Sequence, residues 1–267
     1  MMAKPDVKGK IAFISGGSSG IGEEMAKQMI RLGAKKVIIA ARRLDELERV
    51  KKETQHPDKV QVFQLDLSNP QECLAKTKEL FAKEPIDILV NNGGISQRDS
   101  FDDLDFEVCE RMMNVNCTSH IAVIKAALPG MTQRKSGQIV NISSLSGIAG
   151  LPVRTMYSAS KFAIRGFANG LRAEMKPYGI DVINIYPDYV QTNISSNAMT
   201  GDGQKFGKLD SNIAKGITVQ NCVTQILKAM AIKKIELIVG RTWTQFIPLI
   251  VSSSTVMDWQ MDKKYKS

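Results

Sequence analysis

Apolar positions along the chain alternate between two periods. Ile11-Ala12-Phe13-Ile14 is a short continuous apolar run that predicts a strand. From Gly20 to Leu32 the apolar residues recur at helical spacing, and Gly33 closes the segment. Val37 to Ala41 predicts a second strand, and Leu44 to Thr54 a helix with Leu44, Leu47 and Val50 on one face. Val60 to Leu65 predicts a third strand. Asn69-Pro70 opens the next helix, with Pro70 at the first position, where a missing N–H is tolerated. Further strands are predicted at Ile86 to Val90, Gln138 to Ile142, Asp181 to Tyr186 and Ile235 to Val239. Two long helices are predicted, Phe106 to Met131 and Arg154 to Lys176, the second stopped by Pro177 and Gly179.

Strands that are apolar almost throughout, and separated by helices, indicate a parallel sheet covered on both faces. The fold class expected is α/β, three-layer and doubly wound, with a seven-stranded parallel sheet and residues 1–267 as one domain. Residues 190–216 fit least well, being polar, weakly periodic and punctuated by Gly201, Gly203 and Gly207. A connection of that length reads either as a substrate lid, with Gly201 and Gly203 giving it freedom, or as an ordinary exposed loop.

The first strand is followed by Ser15-Gly16-Gly17-Ser18-Ser19-Gly20-Ile21-Gly22 and then a helix. Glycines in such a turn let the backbone approach a pyrophosphate, and the helix start offers free N–H groups at the positive end of its dipole. Gly16, Ser18, Ser19, Gly20, Ile21 and Gly22 are therefore candidate dinucleotide contacts; the bland alternative is a plain turn. An acid at the end of the second strand would grip a ribose 2′-hydroxyl. Arg42 and Arg43 stand there instead. Guanidinium groups suit bidentate phosphate contact, so NADP (NADPH) is expected, with Arg42 as the main 2′-phosphate ligand. Otherwise the two arginines form a solvated helix start.

Tyr157 and Lys161 lie four residues apart on a predicted helix and so share a face. A fixed ammonium favours the phenolate, which gives a general acid–base for a hydroxyl/carbonyl couple. Alone, that pair is usually a surface contact. Here Ser144 ends the fifth strand, Asn91-Asn92-Gly93-Gly94 ends the fourth and the glycine turn ends the first. Polar and glycine residues at three strand ends mark the edge where open α/β sheets bind ligands. Asn116 falls inside a predicted long helix, where asparagine is a mediocre helix former, and marks a kink or a water site.

These residues together resemble the short-chain dehydrogenase/reductase superfamily, over essentially residues 8 to 240. The motifs are S-G-G-S-S-G-I-G at 15–22, N-N-G-G at 91–94, Asn116, Ser144 and Y-S-A-S-K at 157–161, with Ser144 thirteen residues before Tyr157. The resemblance implies a Rossmann fold and an NAD(P)-dependent oxidoreductase acting on CH–OH groups. By it, Tyr157 is the catalytic acid/base, Lys161 binds the nicotinamide ribose and lowers the phenol pKa, Ser144 polarises the substrate carbonyl and Asn116 holds a relay water. It also places Asp66 and Asn92 on the adenosine side of the cofactor cleft and Thr192 against the carboxamide, with Gly93, Pro187 and Val190 as further cofactor-binding residues. Thr192 to Ser195, Gly201 to Gly203 and Lys233-Lys234 resemble the dehydrogenase/reductase member 7 group, near the 11β-hydroxysteroid dehydrogenase type. That implies a hydrophobic carbonyl substrate of steroid, retinoid or acyl-lipid type. The long helices imply a homodimer or tetramer. Departures are Ser15 for the usual Thr, Gly94 for Ala, and Asp188 after Pro187 for Gly. Asp188 faces solvent or tunes the charge seen by the substrate.

Composition narrows the remaining classes. The chain of 267 residues is 43% apolar, too rich for disorder. Four cysteines without a C-x-x-C pair, and two histidines, exclude a disulfide scaffold and predict no metal site. A net charge of +9 raises nucleic acid and membranes as partners. The basic residues are scattered pairs without finger spacing or aromatic interleaving, so no nucleic acid partner is expected. No run reaches the roughly 18 apolar residues of a spanning helix, and Met1 to Lys10 has no apolar signal core. A cytoplasmic protein is expected. The tail at 242–267 carries Trp243, Phe246 and Trp259 before Lys263-Lys264. It suits peripheral membrane contact, a subunit interface or packing on the sheet edge. Two other classes stay open: a non-catalytic NADP-binding sensor or scaffold, and a basic surface-binding protein whose glycines are only turns.

Overall fold

The structure is a computed structural model that describes residues 6–208 and 210–240. Seven strands carry the apolar runs: β1 (Ile11–Ser15), β2 (Lys36–Ala41), β3 (Val60–Gln64), β4 (Ile88–Asn91), β5 (Gly137–Ile142), β6 (Ile180–Pro187) and β7 (Glu236–Val239). They form one sheet in the order β3-β2-β1-β4-β5-β6-β7, every neighbouring pair parallel. Winding reverses between β1 and β4, and that reversal opens a crevice at the carboxyl ends of the strands.

Alternation along each strand builds two cores. Ile14, Ile39 and Val90 face one side, where they meet Met25 and Met29 of α1 (Gly20–Arg31), Leu47 and Val50 of α2 (Leu44–Glu53) and Ile226 of a later helix. Phe13, Ile38 and Leu89 face the other side with Leu80 of α3 (Pro70–Lys83). Burying a side chain such as Phe13 stabilises the fold by roughly 1.5–3 kcal/mol. Asn69 caps α3 by accepting from the Glu72 N–H, as the Asn-Pro pair leads one to expect.

The expected helix over Phe106 to Met131 is divided. α4 (Phe106–Met113) passes through a π-helical turn at Asn114–Thr118 into α5 (Ser119–Arg134). The buried Asn116 side chain lies within that turn and bonds the Ile95 backbone, which agrees with the kink expected at this residue. α6 (Thr155–Met175) matches its expectation. Two helices were not anticipated, the short α7 (Ser211–Ala214) and α8 (Val219–Ala231). The signal for α8 was present: Thr218 caps it by accepting from the Asn221 N–H, and Cys222, Val223, Ile226, Leu227 and Met230 recur at helical spacing. No helix among the described residues is long and apolar enough to cross a membrane. The tail at 242–267 lies outside the described residues.

Candidate active site

The crevice at the β1–β4 reversal is a cleft of about 1130 Å³. Its first wall is the turn after β1. Gly16 has φ +67°, and a Cβ there would stand 2.5 Å from Gly93 Cα. A Cβ on Gly22 would stand 2.4 Å from the Gly16 carbonyl oxygen. Only glycine lets these backbones meet. The Ser15 hydroxyl accepts from the Asn92 and Gly93 N–H groups at 3.0 and 3.1 Å, so serine does the holding here. Asn92 Nδ2 in turn donates to the Ser15 and Gly16 carbonyls, both at 3.1 Å. At the start of α1, Ser19 makes no side-chain cap bond, which leaves the first helical N–H groups facing the cleft.

The cleft's far end is basic. Arg42 and Arg43 are exposed, line it and form no ion pair among the described residues. Nearby Arg49 is committed, bridging Glu23, Glu46 and Glu53 at 2.9, 2.9 and 3.0 Å.

Tyr157 and Lys161 of α6 enter from the β5 side, both buried. Lys161 Nζ donates to the Ile142 carbonyl at 3.1 Å and lies 5.8 Å from the Tyr157 ring centre. Burial lowers the ammonium pKa to about 8. Burial also pushes the Tyr157 phenol up, while a hydrogen bond with Ser144 and the field of Arg154 pull it down. Lys161 is not among the groups that pull the phenol down here. Desolvation is the larger influence on the phenol, and the Lys161 ammonium is held by a carbonyl.

Of the expected residues, Gly16, Ser18, Ser19, Gly20, Ile21, Arg42, Arg43, Asp66, Asn92, Gly93, Ser144, Tyr157, Lys161, Pro187, Val190 and Thr192 all line this one cleft. Gly22 and Asn116 do not. Gly22 acts through close packing, as above. The Asn116 side chain is engaged: Oδ1 accepts from the Ile95 N–H at 2.9 Å, and Nδ2 donates to the Ile95 carbonyl at 2.9 Å and to Ser160 Oγ at 3.0 Å. An asparagine ladder crosses the sheet behind it. Asn91 Nδ2 donates to Asn141 Oδ1 at 3.0 Å, and Asn141 is in register with Asn184.

Residues 190–216 fold against the mouth of the cleft. Met199 N–H donates to the Ser96 carbonyl at 2.8 Å, and Met199 packs with Tyr157. Gly201 is no free hinge, contrary to the expectation: its N–H donates to Asp99 Oδ2, its carbonyl accepts from Asp105, and a Cβ would collide with the Asp103 carbonyl. Gly203 and Gly207 have left-handed φ values of +77° and +73°. Asp188 lines the cleft and is half-buried. Ser96, Arg154 and Met199 also line it and were missed from sequence, because their signal is tertiary: each reaches the cleft from a different segment.

The profile of the short chain dehydrogenase family matches residues 10–203. A "Dehydrogenase/reductase SDR family protein 7-like" of Anopheles gambiae is 42% identical over 234 residues, covering 84% of this chain and 73% of that protein. The chain belongs to the short-chain dehydrogenase/reductase family. Human "Dehydrogenase/reductase SDR family member 7" is 39% identical over 228 residues, 83% of this chain and 67% of that one, which puts this oxidoreductase in the member 7 group. Among solved structures, a short-chain dehydrogenase from Sphingobium yanoikuyae in complex with NADPH has a TM-score of 0.75 at 27% identity, covering 86% of this dehydrogenase and 87% of that one. One from Streptomyces avermitilis has a TM-score of 0.82 at 24% identity, over 98% of both, and shares the seven-stranded fold.

Proposed function

We propose that this short-chain dehydrogenase is an NADPH-dependent carbonyl reductase, running as an alcohol dehydrogenase in reverse, on a hydrophobic ketone or aldehyde. The observation that carries this reading is the shared cleft: the glycine turn and Arg42 occupy one end, and Ser144, Tyr157 and Lys161 the other. The cradle fits a dinucleotide, because Gly16, Gly22 and Gly93 bring backbone where any side chain would intrude. Exposed Arg42 and Arg43 fit an added phosphate. When bound, the cofactor supplies the hydride for the carbonyl carbon.

The chain's own residues handle the oxygen. The Ser144 and Tyr157 hydroxyls adjoin in the cleft, so a carbonyl oxygen placed between them takes a hydrogen bond from each in place of their mutual contact. Ser144 donates a hydrogen bond and polarises the carbonyl. Tyr157 transfers its proton to the oxygen as negative charge builds there. A phenol kept neutral by burial suits that donor role and favours reduction. Lys161, anchored on Ile142, holds a positive charge beneath the phenolate left behind. Ala149, Leu151, Ile194, Met199 and Ile213 give the substrate end an apolar wall, which supports a steroid, retinoid or acyl-lipid carbonyl.

The test is NADPH oxidation against ketones and aldehydes of graded chain length. Turnover that grows with apolar length supports the reading, and absence of turnover across the panel refutes it. Exposed Phe106 and Phe162, on α4 and α6, support a homodimer or tetramer, which light scattering would measure.

A further inference from the structure

We propose that Arg154 is an anion anchor for the substrate, so that the preferred carbonyl compound carries a carboxylate besides its reacting carbonyl. This rests on the reductase reading above and narrows its substrate class.

Arg154 stands at the start of α6, three residues before Tyr157, and lines the cleft. The Arg154 charge acts on the Tyr157 phenol, so the guanidinium lies in the neighbourhood of the reacting hydroxyl. The guanidinium side chain is only 15% exposed. Nη1 donates to Ser96 Oγ at 3.2 Å, and Nη2 meets Asp210 Oδ2 at 3.4 Å. Arg98 holds that same oxygen much more closely, at 2.6 Å, and Asp210 Oδ1 accepts from the Asn212 N–H. One carboxylate is thus shared by two guanidiniums. Arg154 is the less firmly held partner, and a guanidinium has five N–H donors to offer.

A half-satisfied, poorly solvated cation facing a cleft attracts an anion. Asp210 already shows which partner chemistry the group accepts, a carboxylate oxygen. The anchor is joined to the reaction centre through Ser96, whose carbonyl holds Met199, which packs on Tyr157. Lys205 lines the same cleft and adds positive charge.

The experiment compares 4-carboxybenzaldehyde with methyl 4-formylbenzoate, the same aldehyde with its carboxylate masked, as substrates for the full chain with NADPH. The acid should show kcat/KM about tenfold above the ester, as one charge-assisted contact gives. Roughly 0.5 M KCl should shrink that ratio by screening. Arg154→Gln should bring the ratio to about one, and Arg154→Lys should restore part of it. A general structural defect lowers both substrates and leaves the ratio alone. An acid-to-ester ratio at or below one in the wild type, or one unchanged in Arg154→Gln, overturns the proposal. If Arg154→Gln does not fold, the salt dependence of the wild-type ratio decides: a flat ratio overturns it. Turnover of the ester without preference for the acid defeats the anchor alone, whereas turnover of neither defeats the reductase reading as well.

Discussion

The Lys161 ammonium lies 5.8 Å from the centre of the Tyr157 ring and donates to the Ile142 carbonyl. The two side chains one turn apart on α6 therefore divide the work. Burial raises the Tyr157 phenol pKa beside Ser144, and the Lys161 charge sits over the ring. On the function proposed above this pair serves proton donation to the substrate oxygen, and each substitution below tests that role.

Tyr157→Phe removes the donated proton and little packing. Its kcat/KM for aldehyde reduction should fall by about 10²–10⁴. NADPH affinity, read by fluorescence titration, should stay within a few-fold, since the glycine turn and Arg42 are untouched. Near-normal turnover would refute the role given to the phenol.

Arg42→Ala removes an exposed guanidinium with no ion pair among the described residues. The ratio of kcat/KM with NADPH to that with NADH should drop about tenfold or more, the loss of one charge-assisted phosphate contact. Steady-state kinetics with both cofactors measures this. An unchanged ratio would mean that Arg42 faces only water.

Gly22→Ala should be disproportionately harmful for one methyl group. Its Cβ would meet the Gly16 carbonyl oxygen at 2.4 Å and Asn92 Nδ2 at 2.5 Å. Overpacking of that kind costs about 1–3 kcal/mol and shifts the cofactor turn. Thermal melts with and without NADPH should show a lower Tm and a smaller stabilisation by cofactor. An unperturbed melt would contradict the close packing.

Burial and the nearby Lys161 charge lower the His120 pKa to about 3, against its usual 6.5, and its ring N–H bonds the Gly93 carbonyl. The unfolded chain takes up a proton below pH 6.5 that the folded chain refuses. Stability is therefore full above pH 6.5 and is lost as pH falls toward 3. Between pH 6.5 and 5 the loss is about 2 kcal/mol. His120→Asn should flatten this dependence, so its Tm should converge on the wild-type value, or pass it, as the buffer is acidified. Parallel Tm curves from pH 7 to 5 would exclude it.

The strands were legible because each is buried on both faces and so reads as an unbroken apolar run. The glycine turn, Arg42, Ser144 and Tyr157 were legible because local spacing and strand ends place them. Three features were not. The partner of Asn116, the Ile95 backbone 21 residues away, is encoded by no local pattern, although the kink itself was expected. The phenol's upward shift follows from burial, and Lys161 donates to a backbone carbonyl, neither of which a four-residue spacing fixes. Arg154 and Asp210 meet only because residues 190–216 fold back over α6. The α8 periodicity, by contrast, was readable, and sits beyond the irregular segment that drew attention away from it.

The most direct measurement is isotope transfer. NADPH carrying two deuterium atoms at nicotinamide C4 is incubated with the enzyme and an aldehyde, and the alcohol is weighed by mass spectrometry. One deuterium on the former carbonyl carbon, abolished in Tyr157→Phe, is the predicted result. Alcohol without label, or label transfer that persists in Tyr157→Phe at the wild-type rate, would contradict the account.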